Sequence, residues 1–536
     1  MPNTGVGYIR NEASALLDLW WMIRDAIEGE PAIKGQYGVR ATYFLTNTRA
    51  RNQSEKYLPR PNPLDKSLEN DERYKSYVKR AVWYNFTSRT LAGLIGQIFL
   101  RPPVTNLPSQ LDPLTKNADG EGLTLEQVAK RTARSVMSYG RAGLLTDYPV
   151  TAGPQTIEQM KTNNIQPTIK HYHPWQVINW ATVQRGAKQV LSMVVLEEVN
   201  MVEVDQFELA ETTQYRVLKL DPASWTYSVE IWRADTQGGA AGNNYSAKES
   251  FTPTDLNGKP FDEIPFTFVG AEANDVWPDI PPMYDLASLN VAHYRNSADY
   301  EEACYIVGQP TPVIIGVTEQ WVENVLKGAV QLGSRSSISL PPGADAKLLQ
   351  AAPNQMPLEA MKLKEEQALA LGAKLVQSSK KVRTATEVMV DTTSESSTLH
   401  NVSKNTSAAI EQNLAWAARF AGGSETSIKY QLNTEFELTR MNANDRLAIV
   451  KMWQCGAIAF TEMRDVLRVD GTASLDDKTA TEQISKEQAA ASILGGAPIA
   501  DPLQAVAPLA PGNVPTPGTP PKPAVKAPKK KAAAAA

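Results

Sequence analysis

Apolar and polar positions fall into their longest helical periods between Met283 and Phe420. Pro281 and Pro282 stop what precedes and suit the start of a helix. Leu286, Leu289, His293, Asn296, Tyr300 and Cys304 then recur at steps of three and four, one helical face that is only half apolar. Such a face predicts a helix packed between identical neighbours with one side wet. Some 25 residues span roughly 35 Å. TPVIIG, at 311–316, reads as a short strand among Gly308, Pro310, Pro312 and Gly316. The helical period resumes in MPLEAMKLKEEQALALGAKLVQSSKK, where Met361, Ala368, Leu371 and Leu375 share a face and Glu366 solvates the other. Val382–Leu399 is dominated by Thr, Ser and Glu, which compete with helical hydrogen bonds, and reads as an exposed loop. A further helix starts near Asn401 and ends at Gly422-Gly423.

The flanks are arranged around this stretch. Residues 11–28 predict an amphipathic helix with Asn11 as N-cap and Leu16, Leu17, Trp20, Ile23 and Ala26 on its apolar side. YLPRPNP (57–63) is an extended connector. Residues 71–99 carry the strongest helical period in the chain, from Tyr74 and Tyr77 through Ala81, Tyr84 and Leu91 to Phe99. The helix at 124–139 opens with Thr124 and Gln127 at capping-box spacing. From about 167 to 270 short, alternating, aromatic runs separated by Gly, Asn and Asp predict a β-rich segment. IKYQLNTEFEL (428–438) reads as a strand, followed by a helix, a turn at Gly456 and a second helix from Thr461. From Gly495 the chain is Ala, Pro and Lys with almost no core formers, and reads as a disordered tail with a basic end.

Composition changes this picture little. At 536 residues the chain is too long for one core. Fifty-four basic against 58 acidic residues argue against a general nucleic-acid binder. Two cysteines, Cys304 and Cys455, exclude a disulfide framework and predict small buried hydrophobes in a reducing cytoplasm. The start has no apolar signal-peptide core, and no apolar run reaches membrane-spanning length. GxxxxGK[ST], GxGxxG, HExxH and GxSxG are absent, so no catalytic group, metal or cofactor is expected. His171 and His173 sit at i, i+2, on one face of a strand, but no Cys or carboxylate nearby completes a ligand set. They read as ordinary surface or interface histidines. Lys380, Lys381 and Arg383 read either as a solvated helix end or as a loop touching DNA.

Several ordered motifs together resemble the portal proteins of tailed double-stranded DNA phages. YVKRAVWYNFTSRTLAGLIGQIFLRPP, with Gly96, Phe99, Arg101 and Pro102, is similar to their N-terminal helix. SYGRAGLLTDYP (138–149) is similar to the helix-to-strand step, and FDEIPFTFVGAEAND (261–275) to the strand leading into the stem. DLASLNVAHYRNSADYEEACYIVGQPTPVIIG (285–316) resembles the first stem helix and the start of the clip, and 433–471 the family's close. The resemblance covers roughly Tyr74 to Gly471. The β-rich 190–260 segment and the Pro/Ala/Lys tail depart from it.

The resemblance implies an α+β portal fold, mainly helical with a β-rich wing segment, assembled as a ring usually of twelve copies. The wing would take 1–280 and the 425–445 return, the stem helices 283–307 and 357–379, and the clip 308–356. A tunnel loop and the helix behind it would occupy 380–424, a crown 446–494, and the tail 495–536. It implies a non-enzymatic virion protein, assembled in the host cytoplasm at one capsid vertex. Its partners would be its own copies, the major capsid protein or scaffold, the terminase large subunit, and then a head-tail adaptor or tail protein. Double-stranded DNA would pass through its channel, during packaging and ejection, without sequence specificity. A ~35 Å stem passes roughly 20 phosphates at once. A wall that gripped them would stall a moving genome, and Asp285, Asp299, Glu301 and Glu302 against one Arg295 have the sign of a wall that repels phosphate. The alternative is a hydrolytic enzyme with a site around His171, His173 and the acids of 262–285.

Overall fold

The computed structural model describes residues 5–35, 53–149, 165–235, 245–307, 311–326, 340–349, 355–374, 397–423, 428–434, 443–469 and 479–486, with a few isolated positions. The chain divides into two units, 1–436 and 437–536.

In the first unit, α1 (Asn11–Glu28) runs through the core, burying Trp20, Ile23 and Ala26 at helical spacing. The residue before it, Arg10, makes no side-chain cap, so Asn11 is the first helical residue rather than the N-cap. Two short helices follow, α2 (Glu30–Ile33) and α3 (Gln53–Tyr57). The period read over 71–99 as one helix is two, α4 (Leu68–Arg80) and α5 (Phe86–Ile98), separated by an extended Ala81–Asn85. Asn85 starts the second by accepting from the Ser88 amide at 3.0 Å. After β1 (Val104–Asn106) comes α6 (Leu125–Tyr139), where the expected capping box between Thr124 and Gln127 is present in both directions. α6 ends at Gly140, whose φ of +73° and 2.6 Å approach to the Asp279 carbonyl leave no room for a Cβ.

The α6 C-terminus feeds β2 (Arg141–Asp147), the centre of a three-stranded antiparallel sheet between β3 (Thr168–Tyr172) and the later β9. The aromatic run over 168–180, within the expected β-rich segment, is broken by a 3-10 turn at Pro174–Gln176, which sends β4 (Val177–Arg185) into a different sheet. There β4, β5 (Lys188–Glu203), β6 (Leu209–Asp221), β7 (Thr226–Ala234) and β8 (Tyr245–Phe251) form a five-stranded antiparallel meander. β8 carries too many polar side chains to be read from alternation. A polar network ties the two sheets together. Glu198 on β5 accepts from Tyr172 (2.7 Å), Gln214 (2.9 Å) and Arg216 (2.9 Å), and Arg216 also reaches Asp147 at 3.2 Å. Burial works to raise the Glu198 pKa, but Arg216 and the donated hydrogen bonds outweigh it and hold the carboxylate below its usual range.

β9 (Phe266–Gly270) leads to α7 (Tyr284–Val307), the antiparallel hairpin β10 (Thr311–Ile315) and β11 (Asp345–Leu349), and α8 (Met356–Lys374). Of the expected second long helix, positions 375–379 lie outside the described residues. α9 (Thr398–Phe420) begins three residues before the expected start, because Ser397 caps it by accepting from the His400 amide at 3.2 Å. α9 packs on β2, β9 and α6, and Asn413 bonds Thr146 at 2.9 Å and Thr267 at 3.1 Å. The strand read over 428–438 is three residues, β12 (Lys429–Gln431), paired with β1.

In the second unit, α10 (Ala443–Gln454) turns at Gly456 (φ +72°) into α11 (Phe460–Val469), as the sequence predicts. Glu462 accepts from the Ala459 amide at 2.8 Å, and Trp453 meets Phe460 with ring centroids 5.7 Å apart.

Candidate functional site

The region that carries the expected function is the pair α7 and α8, joined through the β10–β11 hairpin. α7 lies against the body of the first unit and α8 lies against α7. The buried stripe of α7 runs through Leu286, Asn290, His293, Tyr294 and Ser297, rotated from the face expected from sequence. Leu286 and His293 belong to both, whereas Leu289 and Asn296 are half-buried and Cys304 is exposed.

Asn290, His293 and Ser297 are 0, 2 and 1 % exposed, yet polar. What they meet explains them. The extended Ala81–Asn85 segment crosses this face with backbone groups that no helix satisfies. Asn290 donates to the Tyr84 carbonyl at 2.9 Å and accepts from the Thr87 hydroxyl at 2.8 Å and the Thr87 amide at 3.2 Å. The Ser297 hydroxyl accepts from the Val82 amide at 3.0 Å. His293 packs edge-on to Phe86 and reaches Glu365 of α8 at 3.2 Å. On its inward side the polar composition of α7 is therefore a docking surface for a helix break.

The four acids of α7 divide. Asp299 accepts from the Tyr77 hydroxyl of α4 at 2.6 Å, and burial followed by this carboxylate pushes the Tyr77 phenol up. Glu302 forms an ion pair with Arg80, whose guanidinium lies 4.2 Å from the centroid of Tyr305. Asp285 is exposed and Glu301 half-buried. Arg295 is spent locally, donating to the Tyr57 carbonyl at 2.8 Å. Lys380, Lys381 and Arg383 lie outside the described residues.

α8 buries little. Ala368 is covered, with Met361 and Leu371 half-buried on the same side, as the period predicts. Met356, Leu363 and Leu369 are 73, 55 and 77 % exposed. Beside α7 the pair leaves a groove of about 450 Å³, floored by Leu289, Ala292, Ala370 and Leu371 and edged by Asp285, Ser288 and Gln367. The sequence reading missed these outer apolar positions. Met356, Leu363 and Ala370 are seven apart, and that second spacing beside the Met361–Ala368 stripe is the signal that marks a helix with two apolar faces.

His171 and His173 do lie together on β3, with ring centroids 4.8 Å apart. Both are half-buried. His173 stacks on Trp175 at 4.6 Å, and burial, reinforced by Arg131, takes its pKa down to about 4. Burial, then His173 and Arg131, likewise hold His171 well below its usual value. Asp262 and Glu263 are engaged elsewhere, with Arg185, Arg419 and Trp416. Among the described residues no group of three or more His, Cys, Asp or Glu is placed to hold a metal ion. Both cysteines are exposed, not the buried hydrophobes their isolation predicted. No described helix is long and apolar enough to cross a membrane.

Residues 282–421 match a domain family described as a domain of unknown function, DUF4055. Those bounds enclose α7, the hairpin, α8 and α9. No curated protein matches the chain. Solved chains similar to it include two from gene transfer agent particles. One comes from the neck of an empty GTA particle computed with C6 symmetry, at 12 % identity and a TM-score of 0.36 over 73 % of this chain and 92 % of that one. The other comes from the virion of a native gene transfer agent particle, at 13 % identity and the same TM-score and coverage.

Proposed function

We propose that the chain is a structural, non-enzymatic portal protein of a phage-like particle. Copies of it, usually twelve, form a ring at one capsid vertex. The carrying observation is the helix–hairpin–helix unit, α7–β10–β11–α8, whose outer helix exposes Met356, Leu363 and Leu369. Monomers leave single apolar side chains exposed, but repeated ones along one helix call for a partner surface. The sequence resemblance to portal proteins includes α7 and the start of the hairpin, at 285–316.

In this reading α7 and α8 are the stem, 308–356 is the clip, and 1–280 with 425–445 is the wing. The clip would dock the terminase large subunit and then an adaptor or tail protein, and the wing would face capsid protein or scaffold. Double-stranded DNA passes the stem in packaging and ejection. Asp285 and Glu301 are the acids left to keep phosphate from the wall, since Asp299 and Glu302 are engaged with α4. Lys380, Lys381 and Arg383 would touch the backbone transiently from the loop that follows. The His171–His173 pair favours no hydrolytic reading, because His173 is stacked on Trp175 and a pKa lowered to about 4 makes it a weak base.

The test is negative-stain electron microscopy of the purified chain with mass photometry beside it. Rings with a central hole and about twelve copies are expected from the family resemblance. A small closed oligomer with no hole overturns the reading.

A further inference from the structure

α8 has different surfaces on its two flanks. At about 100° per residue, with buried Ala368 as zero, Leu371, Gln367, Leu363 and Ala370 fall between roughly 60° and 160° on one side. Leu371, Gln367 and Ala370 border the groove of about 450 Å³ that continues onto Leu289 and Ala292 of α7, and Leu363 lies one turn before Gln367 on the same flank. Leu369 falls about 100° round on the other side and is 77 % exposed. One flank is thus an apolar hole and the other an apolar knob, on the same element at the same height.

We infer that Leu369 of one copy seats in the α7–α8 groove of the next, a head-to-tail contact between identical chains. The occupant follows from the geometry. A two-fold contact brings the same patch of both partners together, knob to knob or hole to hole, and leaves one flank uncovered. A head-to-tail contact covers both flanks in every copy, and repeats until it closes a ring. The inference rests on the portal reading and deepens it, because it names which side chain locks neighbouring stems.

The experiment uses the full chain with Cys304→Ser and Cys455→Ser, so that introduced thiols are the sole ones. Leu369→Cys together with Ser288→Cys, oxidised at the concentration where rings are seen, should give a ladder of covalent oligomers on a non-reducing gel. Each single variant should stay a monomer on that gel. A covalent dimer from Leu369→Cys alone indicates a two-fold contact and overturns the inference. In parallel, Leu369→Glu should raise the concentration needed for half-assembly by about tenfold or more, with an unchanged circular dichroism spectrum. Unmutated rings together with intact Leu369→Glu rings, or with no ladder, overturn the knob and leave the ring. An unmutated chain that forms no rings overturns both.

Discussion

The inner face of α7 and the outer faces of α8 invert the usual rule in opposite directions. On α7, Asn290, His293 and Ser297 are polar and buried. On α8, Met356, Leu363 and Leu369 are apolar and exposed. The first inversion is resolved inside the chain, because the Ala81–Asn85 break supplies carbonyl and amide groups that need partners. The second has no resolution within one described copy. A buried polar residue thus points to a local backbone irregularity, and a row of exposed apolar ones points to another molecule. Two adjacent helices of one unit therefore carry different kinds of information, one about folding and one about assembly.

Breaking the α7 side should cost the most. Asn290→Ala strands the Thr87 amide and removes one of two hydrogen bonds to the Tyr84 carbonyl, and is expected to lower folding stability by about 3 kcal/mol in chemical denaturation. Asn296→Ala, at a half-buried position on the same helix, should cost less than about 1 kcal/mol. Equal losses would dissolve the distinction between the two positions.

The half-buried histidines of β3 and its end sharpen the point through pH. His173 has a pKa of about 4 in the fold against 6.5 unfolded. Between those values the unfolded chain binds more protons, so stability rises with pH and is lost as pH falls from 6.5 towards 4. The expected loss on going from pH 7 to pH 4.5 is about 2 kcal/mol. His173→Phe preserves a ring beside Trp175 and should flatten that slope, measured as denaturation midpoint against pH. A slope unchanged by the substitution would assign the acid sensitivity elsewhere.

The smallest effect on folding belongs to α8. Leu363→Lys should change monomer stability by no more than about 0.5 kcal/mol, since the side chain is largely exposed. The same change places a charge on the flank of α8 that carries the groove, one turn before Gln367, and should impair ring formation, read by mass photometry. A stability loss as large as that of Asn290→Ala would mean that α8 belongs to the folding core after all.

Much of the fold was legible because its signals are local. The Thr124–Gln127 capping box, the Gly456 turn, the α1 period and the Met361–Ala368–Leu371 face all depend on residues within a turn or two of one another. The break at Ala81–Asn85 was not, since Tyr74 to Phe99 keeps a helical period across it and no Pro or Gly interrupts that run before Gly93. The division of 168–180 between two sheets was likewise hidden, although Pro174 marks where it happens.

The sequence by itself determined where helices and strands occur, the order of motifs across the chain, and the absence of the phosphate-loop, zinc-protease and hydrolase signatures. Tertiary structure alone decided which face of α7 is inward, that two of its four acids bind α4, and that the histidine pair is half-buried with lowered pKa values. The reason is physical. Caps, turns and periodicity are set by interactions a few residues apart, whereas burial and pKa depend on groups that arrive from hundreds of residues away, as Tyr77 and Arg80 do at Asp299 and Glu302.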